Sequence, residues 1–520
     1  MNEFGAAWLE AAIATVSPYR ALVEKPRFSP GEEAAAQARA ERIGRIAASF
    51  DAARFDAMRE ILRGVPDAMP ALALATMGDA LDDPRFLELQ RFFDACARLD
   101  ALTSACSDLP RTVNDDVRAC AERIERGRAG RFGFFLDDGF AAELASARAT
   151  LAQTQAEFDA AQGRAHAAVA AALGREVNLP EFIVMRADLS GALPPGVRVV
   201  REAPTYLLCE LDADENVLAA LTRRDAAAAR VADEEEAVRA RLSADVRSHG
   251  DGLESAMRAF GEIDVLVASA RYALAHGCEA ASITADGIAF EAGRYLPLEA
   301  ELAMQGRSFT AIAVTLESMA VLTGPNMGGK SAALRTCGFI AMCAAYGLPV
   351  PARNARVALF ARIDWLGIGE SGEREGGLLS AFASEVVALR SVLEDDRAPR
   401  LVLFDEFART TTPREGKALL VAVIGYLRKR GACGLAATHL DGVAKAAGVR
   451  HYAVRGLRGA PRPLLADDLT GALETLAASM DYTLEEVGKE GGNAADALAL
   501  AALLGVDPAV IDAAYRALEE

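Results

Sequence analysis

The stretch Met319-Ala320-Val321-Leu322-Thr323-Gly324-Pro325-Asn326-Met327-Gly328-Gly329-Lys330-Ser331 decides how the rest of the chain is read. It opens on an apolar run, continues as G-x-x-x-x-G-K-[ST], and passes into a helical pattern over Ala332–Tyr346. Strand, glycine-rich loop and helix in that order are the context a phosphate-binding loop requires. The glycines let backbone N–H groups turn inward around phosphates at the positive end of the following helix. In such a loop Lys330 reaches the β- and γ-phosphates and the Ser331 hydroxyl ligates Mg²⁺. Gly324, Pro325, Asn326, Met327, Gly328, Gly329, Lys330 and Ser331 are therefore the nucleotide-binding candidates, and ATP with Mg²⁺ the expected cofactors.

Two further apolar runs downstream end in polar residues. Leu401-Val402-Leu403-Phe404 leads into Asp405-Glu406, and Gly434-Leu435-Ala436-Ala437 leads into Thr438-His439. Asp405, at the carboxyl end of its strand, is placed to hold the Mg²⁺ shell. Glu406 is the candidate to orient and deprotonate an attacking water. In a parallel sheet the third run ends beside the other two, at the crevice where ligands bind. His439 would there contact the γ-phosphate and report its loss; the competing reading of a histidine at a strand end is structural.

Beyond Ile283 short strands alternate with helical stretches, as in an α/β domain with a largely parallel sheet. Before it, Glu32–Ser49, Ala52–Leu62 and Phe86–Leu99 carry apolar residues at three- and four-residue spacing, and Ala141–Leu173 predicts one long alanine-rich helix. Between Pro180 and Leu211 the period shortens to runs separated by Gly191, Pro194-Pro195-Gly196 and Pro204, a small sheet or hairpin. Helix returns from Glu215 to about His276, and its charged stretch Arg223–Arg241 reads as a solvated face.

The formal charge of the 520 residues is 56 − 74 = −18, so any polyphosphate contact needs a local basic patch rather than the whole surface. Lysine stands only at 25, 330, 417, 429, 445 and 489, with arginine elsewhere. A histone-like binder, a collagen and a disulfide-rich secreted domain are excluded. The eight cysteines form no CxxC pair and no metal-ligand spacing with histidine, which predicts buried free thiols. The start, Met1-Asn2-Glu3-Phe4, is acidic and no apolar run spans a bilayer; a cytoplasmic protein with no membrane partner is expected.

TGPNMGGKS at Thr323–Ser331, DEFARTTTPREG at Asp405–Gly416 and ATH at Ala437–His439 together resemble the ATPase domain of the MutS family of DNA mismatch-repair proteins. Ser380-Ala381-Phe382-Ala383-Ser384-Glu385 fits that family's S-x-F-x-x-E signature, whose serine the resemblance offers across a homodimer to the partner's nucleotide. The likeness implies an α+β multidomain fold. A mostly helical lever and core region with a reduced clamp (1–280, β-rich about 180–211) precedes a P-loop ATPase domain of the ABC type (281–470). A C-terminal helical dimerisation segment (471–520) follows. Glu262–Leu266 looks like a lever exit and Gly293-Arg294-Tyr295 like the family's Gly-Arg-His. In the tail, Asn493 caps one helix and Asp507-Pro508 open another.

The departures carry as much information. Ala408 and Thr410 replace glycines of the family's DEIGRGTST loop, and Pro413 replaces a threonine. The length leaves no room for a mismatch-reading domain, and Phe86-Leu87-Glu88, which fits that domain's Phe-x-Glu, sits in an apolar-periodic helix and reads as core. The 180–211 segment sets Arg186, Arg198 and Arg201 against Glu181, Asp188, Glu202 and Glu210, a thin basis for phosphate contacts. Two loads stay open. One is DNA in repair or recombination without mismatch reading. The other is a protein client, as for short MutS-like ATPases that reactivate adenosylcobalamin-dependent aminomutases. A metabolic kinase is disfavoured by the family-specific words.

Overall fold

Strands read as unbroken apolar runs are buried on both faces, because a parallel sheet carries cover on each side. In the computed structural model three such runs are β1 (Met319–Thr323), β3 (Arg400–Asp405) and β4 (Cys433–Ala437), and the same sheet adds β2 (Arg362–Gly367), β5 (Arg450–Leu457) and β6 (Met480–Val487). The structure describes residues 2–129, 133–177, 181–189, 191–325, 328–367, 381–409, 411–457, 480–487, 498, 501 and 506–519. The sheet order is β2-β3-β4-β1-β5-β6, parallel throughout except for the β5–β6 pair. The register pairs Leu322 with Ala437, Ala437 with Asp405, and Asp405 with Gly367. Four carboxyl ends therefore finish at one level. Gly434 is required inside β4, since a Cβ there would overlap the Val402 carbonyl oxygen of β3.

One face of this sheet is covered by α2 (Ala381–Glu394) and α3 (Pro413–Lys429). Phe404, Val321, Leu420, Ile424 and Leu389 share the core there. The helix that follows β1, α1 (Lys330–Ala345), is buried almost all round. Part of its cover comes from the start of the chain. A Cβ on Gly338 would strike the Phe4 ring, and Trp8 meets Phe339 edge-on at 6.1 Å. A four-stranded sheet ordered Ser282–Thr284, Arg353–Ala358, Ile288–Gly293, Ile312–Leu316 accompanies the larger one.

The chain divides into two compact units, Met1–Arg63 with Leu102–Pro110 and Phe260–Glu520, and Gly64–Ala101 with Arg111–Ala259. The second unit holds helices Ala142–Leu173 and Glu215–Ser248 and the antiparallel sheet Glu181–Met185, Tyr206–Leu211, Val197–Glu202. Val169, Phe182, Val184, Leu207 and Cys209 make its small core. Phe86 is fully buried and stacks on Phe134 at 5.0 Å, a packing role. The charged stretch faces solvent as expected, only Ala227 and Val238 within it being buried, and two of its residues form ion pairs: Glu235 with Arg148 and Arg239 with Asp83, each at 2.8 Å.

The eight thiols are free and all but Cys278 are buried. Burial pushes Cys120, Cys278 and Cys433 up to about 12, so they stay protonated at neutral pH. Among the described residues no helix is long and apolar enough to cross a membrane. Asp507 accepts from the Ala509 N–H at 2.8 Å at the start of helix Pro508–Glu519, as its sequence predicts; Asn493 lies outside the described residues.

Candidate active site

The glycine-rich loop leaves β1 at Gly324 and enters α1 at Lys330, with Asn326 and Met327 outside the described residues. Gly324 has φ 149° and lies so close to Val454 of β5 that a Cβ would sit 2.8 Å from its side chain. Gly329 is left-handed at φ 83°, and its missing Cβ leaves room for the Tyr482 ring of β6. Gly328 donates to the Pro325 carbonyl at 3.0 Å, closing a turn. No side chain caps the start of α1, so its N–H groups and dipole face the loop.

Lys330 is 5% exposed, and its ammonium donates to the Gly324 and Pro325 carbonyls at 3.0 Å each. The same Nζ stands 3.5 Å from Glu406 Oε1. Ser331 Oγ donates to Asp405 Oδ1 at 2.9 Å. Four sequence candidates, from a loop and a strand two positions apart in the sheet, therefore converge. Two oxygen ligands at adjacent corners of an octahedral Mg²⁺ site, about 2.1 Å from the metal, lie about 3 Å apart. The Ser331–Asp405 pair has that spacing and that hard-oxygen chemistry, so these two atoms could hold Mg²⁺.

The Asp405 carboxyl is held above the usual carboxylate range, first by burial and also by the adjacent Glu406 charge, against the Ser331 hydrogen bond and the Arg335 and Lys330 charges. An acid raised on folding contributes stability at low pH that is lost as pH rises through its folded pKa. At pH 7 the ionised group is thus a net cost. Asp405→Asn, which keeps an acceptor for Ser331, is expected to raise the thermal midpoint of the metal-free protein at pH 7 and to shrink that gain on acidification. A midpoint that falls or stays put would refute it.

After β3 the backbone turns through two left-handed non-glycine residues, Glu406 at φ 54° and Ala408 at φ 61°. Each costs roughly 1–2 kcal/mol, which the surroundings must offset. Glu406 N–H donates to Ala437 O at 3.0 Å, tying the loop to β4. Phe407 is buried edge-on against Phe404 at 5.7 Å. Ala408 N–H donates to the buried Glu385 Oε2 at 2.9 Å. The departure at Ala408 thus falls at a position whose backbone favours glycine. Gly416 keeps close cover over it, since a Cβ there would lie 3.0 Å from Ala408 O. Thr412 caps α3 ahead of Pro413: its Oγ1 accepts from the Glu415 N–H at 3.4 Å and donates to Glu415 Oε2 at 2.7 Å.

His439 is exposed two residues past β4, at the sheet edge that carries Asp405. Its neighbours are pinned: Thr438 N–H donates to Leu322 O at 3.0 Å and Leu440 N–H to Thr438 Oγ1 at 3.1 Å. Ser380 lies outside the described residues, while Glu385 of the same motif is placed as above. Three participants had no signal in spacing. Arg409 pairs with Glu406 at 3.1 Å, Tyr482 flanks the loop, and the buried His451 Nε2 meets Thr323 Oγ1 at 2.8 Å behind it. Each arises from a pairing with a residue distant in sequence or from a bend the local pattern does not encode.

Residues 320–457 match MutS domain V. The chain is 32% identical over 207 residues to the endonuclease MutS2 of Clostridium botulinum (strain Loch Maree / Type A3), a match covering 38% of this chain and 25% of that protein. It is 34% identical over 212 residues to the endonuclease MutS2 of Symbiobacterium thermophilum, over 40% and 26% of the two chains. Similarity to the DNA mismatch repair protein MutS of Haloquadratum walsbyi is longer, 28% over 408 residues, covering 75% of this chain and 40% of that one. The matches span about a quarter of the MutS2 relatives' length.

Proposed function

Since this chain belongs to the MutS family, we propose that it is a P-loop, Mg²⁺-dependent ATPase that works as a head-to-head homodimer on DNA in repair or recombination. The observation that carries the reading is the convergence of Lys330, Ser331, Asp405 and Glu406 at one end of a parallel sheet. The loop from Gly324 to Gly329, including Asn326 and Met327, wraps the phosphates with its N–H groups. Lys330 exchanges the loop carbonyls it now holds for β- and γ-phosphate oxygens. Ser331 and Asp405 would hold Mg²⁺, which would supply positive charge to the phosphate oxygens. Glu406 orients and deprotonates the attacking water in line with the γ-phosphate. His439 contacts the γ-phosphate, and Ser380 completes the partner's site. Turnover then moves the long helices of the second unit.

One observation bears on the other load, a protein client. The sheet of the second unit leaves Ile183, Met185 and Val200 40–50% exposed, while Arg186 and Arg198 are already paired with Glu202 and Glu210. Such a face is apolar where a phosphate-binding surface is cationic. Turnover measured with duplex, branched and single-stranded DNA at low and moderate salt separates the two. The DNA reading predicts stimulation that fades as salt rises. Indifference to every DNA sinks it and leaves the protein client.

A further inference from the structure

The first unit holds a cavity of about 300 Å³ on the side of α1 away from the loop. Leu9 and Ile13 of the N-terminal segment, Val265, Met342 in the last turn of α1 and Leu348 beyond it make it largely apolar. Its polar complement is one-sided: among the described lining residues, Lys25, Arg27 and Arg39 stand against the single acid Glu10. Met342 lies twelve residues along α1 from Lys330, roughly 18 Å at the helical rise, so this space is separate from the candidate active site.

Arg39 makes the cavity more than a packing defect. Its Nε is buried without a hydrogen-bond partner, a costly arrangement for a charged donor. The nearby acid Glu262 is engaged by Arg42 at 2.8 Å. Burial first, and the Arg42 charge second, push the Arg39 guanidinium below its ordinary range, against the opposing pull of Glu262. Its stem is nonetheless accommodated deliberately: Gly347 is left-handed at φ 60°, and a Cβ there would lie 2.9 Å from Arg39 Cδ and 2.7 Å from the Phe28 ring.

We propose that this cavity binds a small amphipathic anion, a carboxylate or phosphate monoester on a short apolar tail, with Arg39 and the Lys25–Arg27 rim taking the head and Leu9, Ile13, Val265 and Met342 the tail. A volume of this size is at the lower end of those that hold small ligands, which matches a short tail. The test is calorimetric titration of the full chain with octanoate, octyl phosphate and octanol at neutral pH. Octanoate or octyl phosphate is expected to bind one to one, with octanol at least about tenfold weaker because it leaves the guanidinium unpaired. Whichever anion binds tighter identifies the head. Arg39→Met is expected to lose at least about tenfold in anion affinity without a lower thermal midpoint, since it removes a guanidinium whose Nε is buried without a hydrogen-bond partner. Ile13→Trp, filling the space from a half-exposed position, is expected to abolish binding of all three. The proposal is overturned if neither anion binds, if octanol binds as well as they do, or if both variants bind like the native chain.

Discussion

Glu406→Gln is expected to reduce ATP turnover by roughly 10²–10⁴-fold while leaving ATP affinity within a few-fold, the loss typical of removing a general base. The substitution keeps the shape and the acceptor oxygen of the side chain and removes its basicity. The position is held by its backbone rather than by its charge: its N–H donates to Ala437 O and its φ is 54°. Phe407 beside it is anchored against Phe404. The amide side chain of the variant would therefore stay near the γ-phosphate, with weaker links to Lys330 and Arg409. Single-turnover hydrolysis alongside equilibrium ATP binding checks this. Turnover within tenfold of the native enzyme would remove Glu406 from the proposed chemistry.

Lys330→Ala is expected to abolish measurable hydrolysis, because its ammonium already touches the loop carbonyls and α1 supplies only partial charge in its place. Ser380→Ala is expected to do nearly the same through the partner. Mixed in equal amounts and allowed to exchange, the two variants should recover about a quarter of native turnover. Half the dimers are then heterodimers, and each has one site with an intact Lys330 and the partner's intact Ser380. Either variant alone recovers nothing. A mixture as inactive as its components would count against action across a dimer, while activity of Ser380→Ala alone would remove Ser380 from the site.

Much of the site is legible in single words of sequence because its chemistry is local. The loop glycines, Lys330 and Ser331 occupy consecutive positions, and the strand-to-helix passage around them follows from a change of apolar period. Asp405 and Glu406 are visible because a fully buried strand ends on them. Less local features were not readable. The ion pairs that the charged helix Glu215–Ser248 makes with Arg148 and Asp83 join residues distant in sequence. Nothing in Phe4 or Trp8 announces that the N-terminal residues cover α1. That cover follows from α1 being apolar on more faces than the sheet can bury.

By itself the sequence determined the repertoire of side chains: a glycine-rich loop ending in Lys330 and Ser331, an acid pair at a strand end, a polar pair at another, and an acidic chain of 520 residues whose words resemble those of the MutS family. Only the tertiary structure decided that β4 lies between β1 and β3, which brings Ser331 within 2.9 Å of Asp405 and leaves His439 at the same edge. It also decided that Glu385 holds the left-handed turn at Ala408, and that Arg39, whose Nε is buried without a hydrogen-bond partner, lines a cavity. The physical reason is the range of the forces. Periodicity, turn residues and helix caps act over a few residues and can be read along the chain. Strand order, buried pairing and cavities are set by which distant apolar surfaces exclude water together, and that choice exists only once the chain has folded.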